Sequence, residues 1–151
     1  MEPNQNPYAP PQAALADTPE VDDRGPKPKE VVVAVALIWT SLALGAVHAA
    51  LIWGFLTSLS SVGMVLAIQV FSFLLVAWLA VKISAGRNWA RITYLVLLLI
   101  GTPAFVMGEL QEFARAPIPG VLGLIQFGLQ LSAIVLVFGP GRRWFRRARR
   151  A

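Results

Sequence analysis

The sequence predicts an all-α protein, a four-helix transmembrane bundle preceded by a disordered N-terminal tail. Three observations predict it. Hydrophobic residues make up 56% and charged residues 14% of the 151-residue chain, a balance unlike that of a soluble domain. The charges gather in the first thirty residues, around Lys82 to Arg91, around Glu109 to Arg115, and in the last ten, with long uncharged stretches between. Those stretches are continuous apolar sequence without two-residue alternation, which argues for helices over barrel strands. A charge at the centre of a spanning helix costs about 2.5–3.5 kcal/mol, so charge clusters mark where the chain leaves hydrocarbon.

The elements follow in order. Residues 1–29 hold seven prolines and few apolar residues beyond alanine. Such a segment cannot bury enough surface to offset its ordering entropy, and it reads as a solvated, partly polyproline-II tail. The membrane domain, 30–138, contains four apolar runs at 31–56, 62–83, 89–108 and 121–138. As a helix the first would be about 39 Å long, enough to span with tilt. Small residues at Val47–Ala49 offer a peptidase little, because the run continues past them and the leading segment is long and acidic. Pro119 stands just before the last run, where a missing N–H costs little. Pro140 ends it, and a basic tail, 139–151, closes the chain.

Basic residues set the expected orientation. Lys27, Lys29, Lys82, Arg87, Arg91 and the arginines of the C-terminal tail all fall on one side of a four-span arrangement, and only Arg115 falls on the other. Short-loop basic bias faces the cytoplasm, so both termini are expected there. Arg87, Trp89 and Arg91 at the mouth of the third span, and Arg142, Arg143, Trp144, Arg146 and Arg147 after the fourth, read as anchors in the lipid head-group region. Anionic lipids are the expected partner of the arginine-rich tail. Nucleic acid is not, because the tail is short and tethered at a membrane surface, where lipid phosphates are the nearest anions.

Polar residues that interrupt the runs predict an internal layer. His48, Gln69, Thr102, Gln126 and Gln130 fall near one depth, away from the basic side. Polar groups in lipid must find partners, so these are expected to face inward and hydrogen-bond between helices. Pro103 frees the Leu99 carbonyl, an acceptor for His48 or a glutamine. On this reading His48 is the only ionisable group deep in a span, and the layer is structural glue. Ser41, Gly45 and Ala49 form a small-residue stripe expected to pack within the protomer. Glu109 and Glu112 offer a cation site with Gln111, but the simpler expectation is a solvated rim in which Arg115 pairs with Glu112.

No cysteine is present, which excludes disulfides, thiolate metal sites and cysteine nucleophiles. No metal cluster, nucleophile–base pair or phosphate loop is legible, so neither a cofactor nor an enzyme is expected.

Two stretches carry a resemblance. "NPYAPPQAAL" at 6–15, and "GRNWARITYLVLLLIG" with the ending "LQLSAIVLVFGPGRRWFRR", resemble small uncharacterised bacterial four-span inner-membrane proteins. The resemblance implies a bacterial inner membrane and no particular chemistry. The expected role is that of an accessory or scaffold protein working with another membrane protein or as a homo-oligomer. The competing role is a small oligomeric transporter or channel that uses the polar layer.

Overall fold

A computed structural model describes residues 26–147, with side chains through Phe145. The expectations for the tail up to residue 25 and for Arg149 and Arg150 lie outside the described residues. The elements are α1 (Lys29–Leu51), α2 (Trp53–Leu59), α3 (Val62–Ser84), α4 (Asn88–Arg115), α5 (Pro117–Phe138) and α6 (Arg142–Arg147), with no strand among the described residues. The helices α1, α3, α4 and α5 are each long and apolar enough to cross a membrane. The chain is a multi-pass membrane protein, and its four spans form a bundle. Going round it, α1 lies between α5 and α3, and α4 closes the ring between the same two.

Three boundaries differ from the apolar runs. The first span ends at Leu51, not at residue 56: Ile52 leaves helical geometry at φ −96° and ψ 12°, and α2 follows as a separate short helix. At 23 residues, α1 already measures about 35 Å, the thickness of the hydrocarbon with tilt. The third span does not stop at Gly108 but runs on to Arg115, through 28 residues. Nothing in Glu109–Arg115 breaks a helix, and its acids turn inward, Glu112 to His48 and Glu109 to a buried place against α5. The fourth span begins at Pro117 rather than 121, with proline in its first turn, where the backbone N–H groups have no intrahelical acceptor. Only Ala116 separates α4 from α5.

Between α3 and α4 the chain reverses tightly. Gly86 takes φ 74°, its N–H donates to the Ile83 carbonyl, and the Arg87 N–H donates to that of Lys82. This is a Schellman cap, which needs a left-handed residue and so favours glycine. Lys27 Nζ donates to Ser84 Oγ at 3.0 Å, tying the entry of α1 to the end of α3. The basic residues on both segments therefore meet at one end of the bundle, called here the basic end.

The close-packed core lies entirely toward that end. Val31, Ala34 and Ile38 of α1 meet Leu79, Ala80 and Ile83 of α3, Ala90 and Tyr94 of α4, Ala133 and Val137 of α5, and Trp144 and Phe145 of α6. Outward faces carry Phe71, Leu74, Ile100, Leu110 and Val135, all largely exposed, as befits a surface solvated by lipid. Lipid is as apolar as leucine, so core packing here gains little from transfer and depends on contact. Leu79→Ala should cost about 2 kcal/mol, the low end for a buried leucine, because the cavity term remains while the transfer term shrinks. Detergent-solubilised unfolding midpoints will check this, with Leu74→Ala at a lipid-facing position expected to change nothing.

Two expected head-group anchors are corrected. Trp144 is only 4% exposed, because α6 folds back under the bundle and buries its aromatic pair instead of leaving it in the interface. Arg91 is half-buried, with its guanidinium 5.0 Å from the Phe138 ring and 4.6 Å from that of Phe145. Its Nε donates to Asn88 Oδ1. Both belong to the closure of the basic end. Arg87, Trp89, Arg142 and Arg143 remain exposed there, and the Trp89 ring lies 5.1 Å from that of Trp78. The side chains of Arg146 and Arg147 lie outside the described residues.

Candidate functional site

The half of the bundle away from the basic end holds a cavity between its helices. A cavity of about 280 Å³ lies among α1, α2, α3 and α5, with polar walls supplied by His48, Gln69, Ser72, Gln126 and Gln130. Four of the five expected layer residues thus line one space. Thr102 does not: it lines an adjoining cavity of about 210 Å³ together with Tyr94, Phe105, Phe127 and Gln130. Thr102 Oγ1 donates to the Leu98 carbonyl within its own helix, and the Phe105 and Phe127 rings stack at 4.7 Å beside it. Gln130 belongs to both walls.

Glycine makes the polar wall. A Cβ at Gly45 would lie 2.7 Å from Gln126 Nε2, so the small-residue stripe of α1 seats a glutamine of α5. Ser41 is fully buried one turn earlier, its hydroxyl donating to the Ile38 carbonyl. The stripe packs within the protomer.

The carboxylates are where sequence reasoning fell short. His48 Nε2 and Glu112 Oε1 lie 2.7 Å apart, each side chain 14% exposed. The pair joins α1 to α4 across the bundle. His48 is therefore bonded to Glu112, not to the Leu99 carbonyl. It is not the only ionisable group inside: Glu109, one turn before Glu112 on α4, is only 7% exposed. Its carboxylate lies over Gly123 of α5, where a Cβ would fall less than 3.0 Å from both oxygens. Its buried Oε1 has no hydrogen-bond partner among the described residues. Arg115 does not form the expected local pair with Glu112, and its guanidinium lies 4.8 Å from the Phe55 ring. Gln111 is exposed and takes no part.

One nitrogen and two carboxylates thus gather at the far end, with ligand atoms from His48, Glu109 and Glu112 all within 4.8 Å of one another. The expectation of a solvated acidic rim is corrected. The acids face inward because α4 continues helically past Gly108 and carries both on its inner face. Their spacing of three residues was a usable signal, since it puts them on one side of any helix.

Chemically, the arrangement can share protons between His48 and Glu112, or hold a cation. No family model matches this chain, and neither a curated protein nor a solved structure matches it.

Proposed function

We propose that this is a non-enzymatic protein of a bacterial inner membrane, with both chain ends in the cytoplasm, that presents a binding chamber for a small polar or cationic solute to the opposite side. The orientation rests on the basic end, since short basic segments stay cytoplasmic. There the exposed Arg87, Arg142 and Arg143 contact anionic head groups. One observation carries the functional reading: the polar cavity lies in the half away from the basic end, beside a His–Glu pair and a buried carboxylate. Ionisable groups inside a membrane bundle are expensive and mark functional sites by default. In this role the protein serves as an accessory component beside another membrane protein or a second copy of itself.

A second reading has its own support. Pro103 withholds one N–H from the hydrogen-bond ladder of α4, next to Gly101 and Thr102 in the wall of the adjoining cavity, which leaves the helix easier to bend at that level. That suits a small transporter in its outward-facing form. Solute-dependent flux in liposomes, lost in His48→Ala, would select transport over binding alone.

The absence of cysteine permits a direct test. Single thiols introduced as Ser72→Cys and Gln126→Cys should react with a membrane-impermeant maleimide in intact spheroplasts. Asn88→Cys at the basic end should react only after the membrane is permeabilised. The reverse pattern would overturn the orientation, and no reaction at residues 72 and 126 from either side would overturn the open chamber.

A further inference from the structure

We infer that His48, Glu109 and Glu112 form a binding site for a divalent transition-metal ion of the zinc, manganese or iron(II) class. The inference rests on the reading above only in placing the site at the outward mouth of the chamber.

Three observations carry it. The first is geometric. His48 Nε2 and one oxygen from each glutamate lie within 4.8 Å of one another. A metal ion held at about 2.0–2.2 Å from each would need ligand separations of roughly 3–3.5 Å, a closing of no more than about 2 Å. The second is the state of Glu109. Its side chain is more than nine-tenths buried and faces the cluster, while its Oε1 has no hydrogen-bond partner among the described residues. A carboxylate so placed stays charged only at a cost, which a cation meeting it would offset. The third is charge. Two carboxylates converge on one imidazole, so a divalent ion bound there would meet the charge of both. The cation nearest in sequence, Arg115, lies instead against Phe55.

The donor set narrows the class. Imidazole with carboxylate suits zinc, manganese and iron(II). Calcium and magnesium favour all-oxygen shells, and copper(I) favours the sulfur ligands absent here. Three protein ligands leave at least one coordination position open, as in exchangeable or catalytic sites rather than closed structural ones. The ligands come from two helices, His48 from α1 and both glutamates from α4. Gly123 of α5 provides the space that Glu109 occupies. Metal binding would therefore fasten α1 to α4 at the end that holds the cavity.

Full-length protein purified in mild detergent and stripped with a chelator should take up one Zn²⁺ per chain in equilibrium dialysis, in the presence of excess Mg²⁺. Loading with Co²⁺ should give visible d–d bands without thiolate charge transfer. His48→Ala, Glu109→Gln and Glu112→Gln should each weaken Zn²⁺ binding at least tenfold, with helical circular dichroism unchanged. Gln111→Ala, at an exposed neighbour, should bind as the parent does. If Glu109→Gln does not fold, the His48 and Glu112 variants decide the matter. The inference is overturned by no stoichiometric uptake, by Mg²⁺ displacing Zn²⁺ at comparable concentration, or by uptake that survives the His48 and Glu112 changes. Failure here with residues 72 and 126 still open to maleimide would leave the outward chamber standing. Failure of the labelling with metal uptake intact would do the opposite.

Discussion

Replacing His48 with alanine is expected to cost about 3 kcal/mol of stability, the largest effect of any single side-chain truncation in the far half. The reason is what remains behind. His48 and Glu112 are each 14% exposed and 2.7 Å apart, and Glu109 is buried beside them. Removing one partner of a buried pair strands the other, which typically costs about 3–5 kcal/mol. The lower figure applies because the pair lies near the end of its helices, where some water can enter. Removing both partners is expected to cost less than His48→Ala alone, because no stranded group is left. Glu112→Gln should cost least, since the amide can still hydrogen-bond the imidazole. SDS-titration unfolding of the three variants in one detergent gives the comparison. A His48→Ala variant as stable as Gln111→Ala would show that the pair contributes nothing.

Gly120→Val is expected to cost about the same, for a steric reason. A Cβ at Gly120 would lie 2.9 Å from Phe113 Cδ2 and 3.1 Å from Phe113 Cα. The ring can rotate away but the backbone cannot, and Ala116 alone joins the two helices. Relief therefore requires α4 and α5 to separate at their hairpin. Overpacking of this kind costs typically 1–3 kcal/mol, and a β-branched side chain at a backbone contact belongs at about 3 kcal/mol. Gly123→Ala makes the informative contrast. The three atoms nearest its Cβ all belong to the flexible end of Glu109, so the carboxylate can swing away and the fold should lose about 1 kcal/mol while the Glu109 seat is lost. Thermal unfolding in detergent, read by near-UV circular dichroism, separates the two. Equal losses for Gly120→Val and Gly123→Ala would contradict the backbone argument.

The spans were legible because a bilayer imposes a simple rule on composition. Apolar runs of sufficient length, separated by charge, leave few alternatives, and the alignment of Lys27, Lys82, Arg87 and Arg142 at one end follows from four crossings. The small-residue stripe at Ser41, Gly45 and Ala49 was legible for the same kind of reason, since its four-residue spacing fixes one face. What escaped was the end of α4. Glu109, Gln111, Glu112 and Arg115 look like the polar edge of a span when read by hydropathy, yet a helix carries on through charged residues if its inner face finds partners. The partner of Glu112 is 64 residues away in sequence, so no local pattern announces it, and local reasoning supplied Arg115 instead. Trp144 was misplaced for a related reason. An aromatic beside arginines suits an interface, but Gly139, Pro140 and Gly141 let the chain double back and hide the indole.

The one-sided distribution of packing also sets how the molecule breathes. Helices clamped together at one end and bordering a cavity toward the other gain amplitude with distance from the clamp, most of all α1 and α4, which face each other across the ring. Fluctuations should therefore be smallest around Ile38, Leu79 and Val137, and largest where α1 and α4 reach toward each other through His48 and Glu112. Whatever occupies that gap, be it a shared proton or an ion, acts as a latch on the freest part of the protein. A weak bond there governs more motion than a strong one among the aromatics underneath.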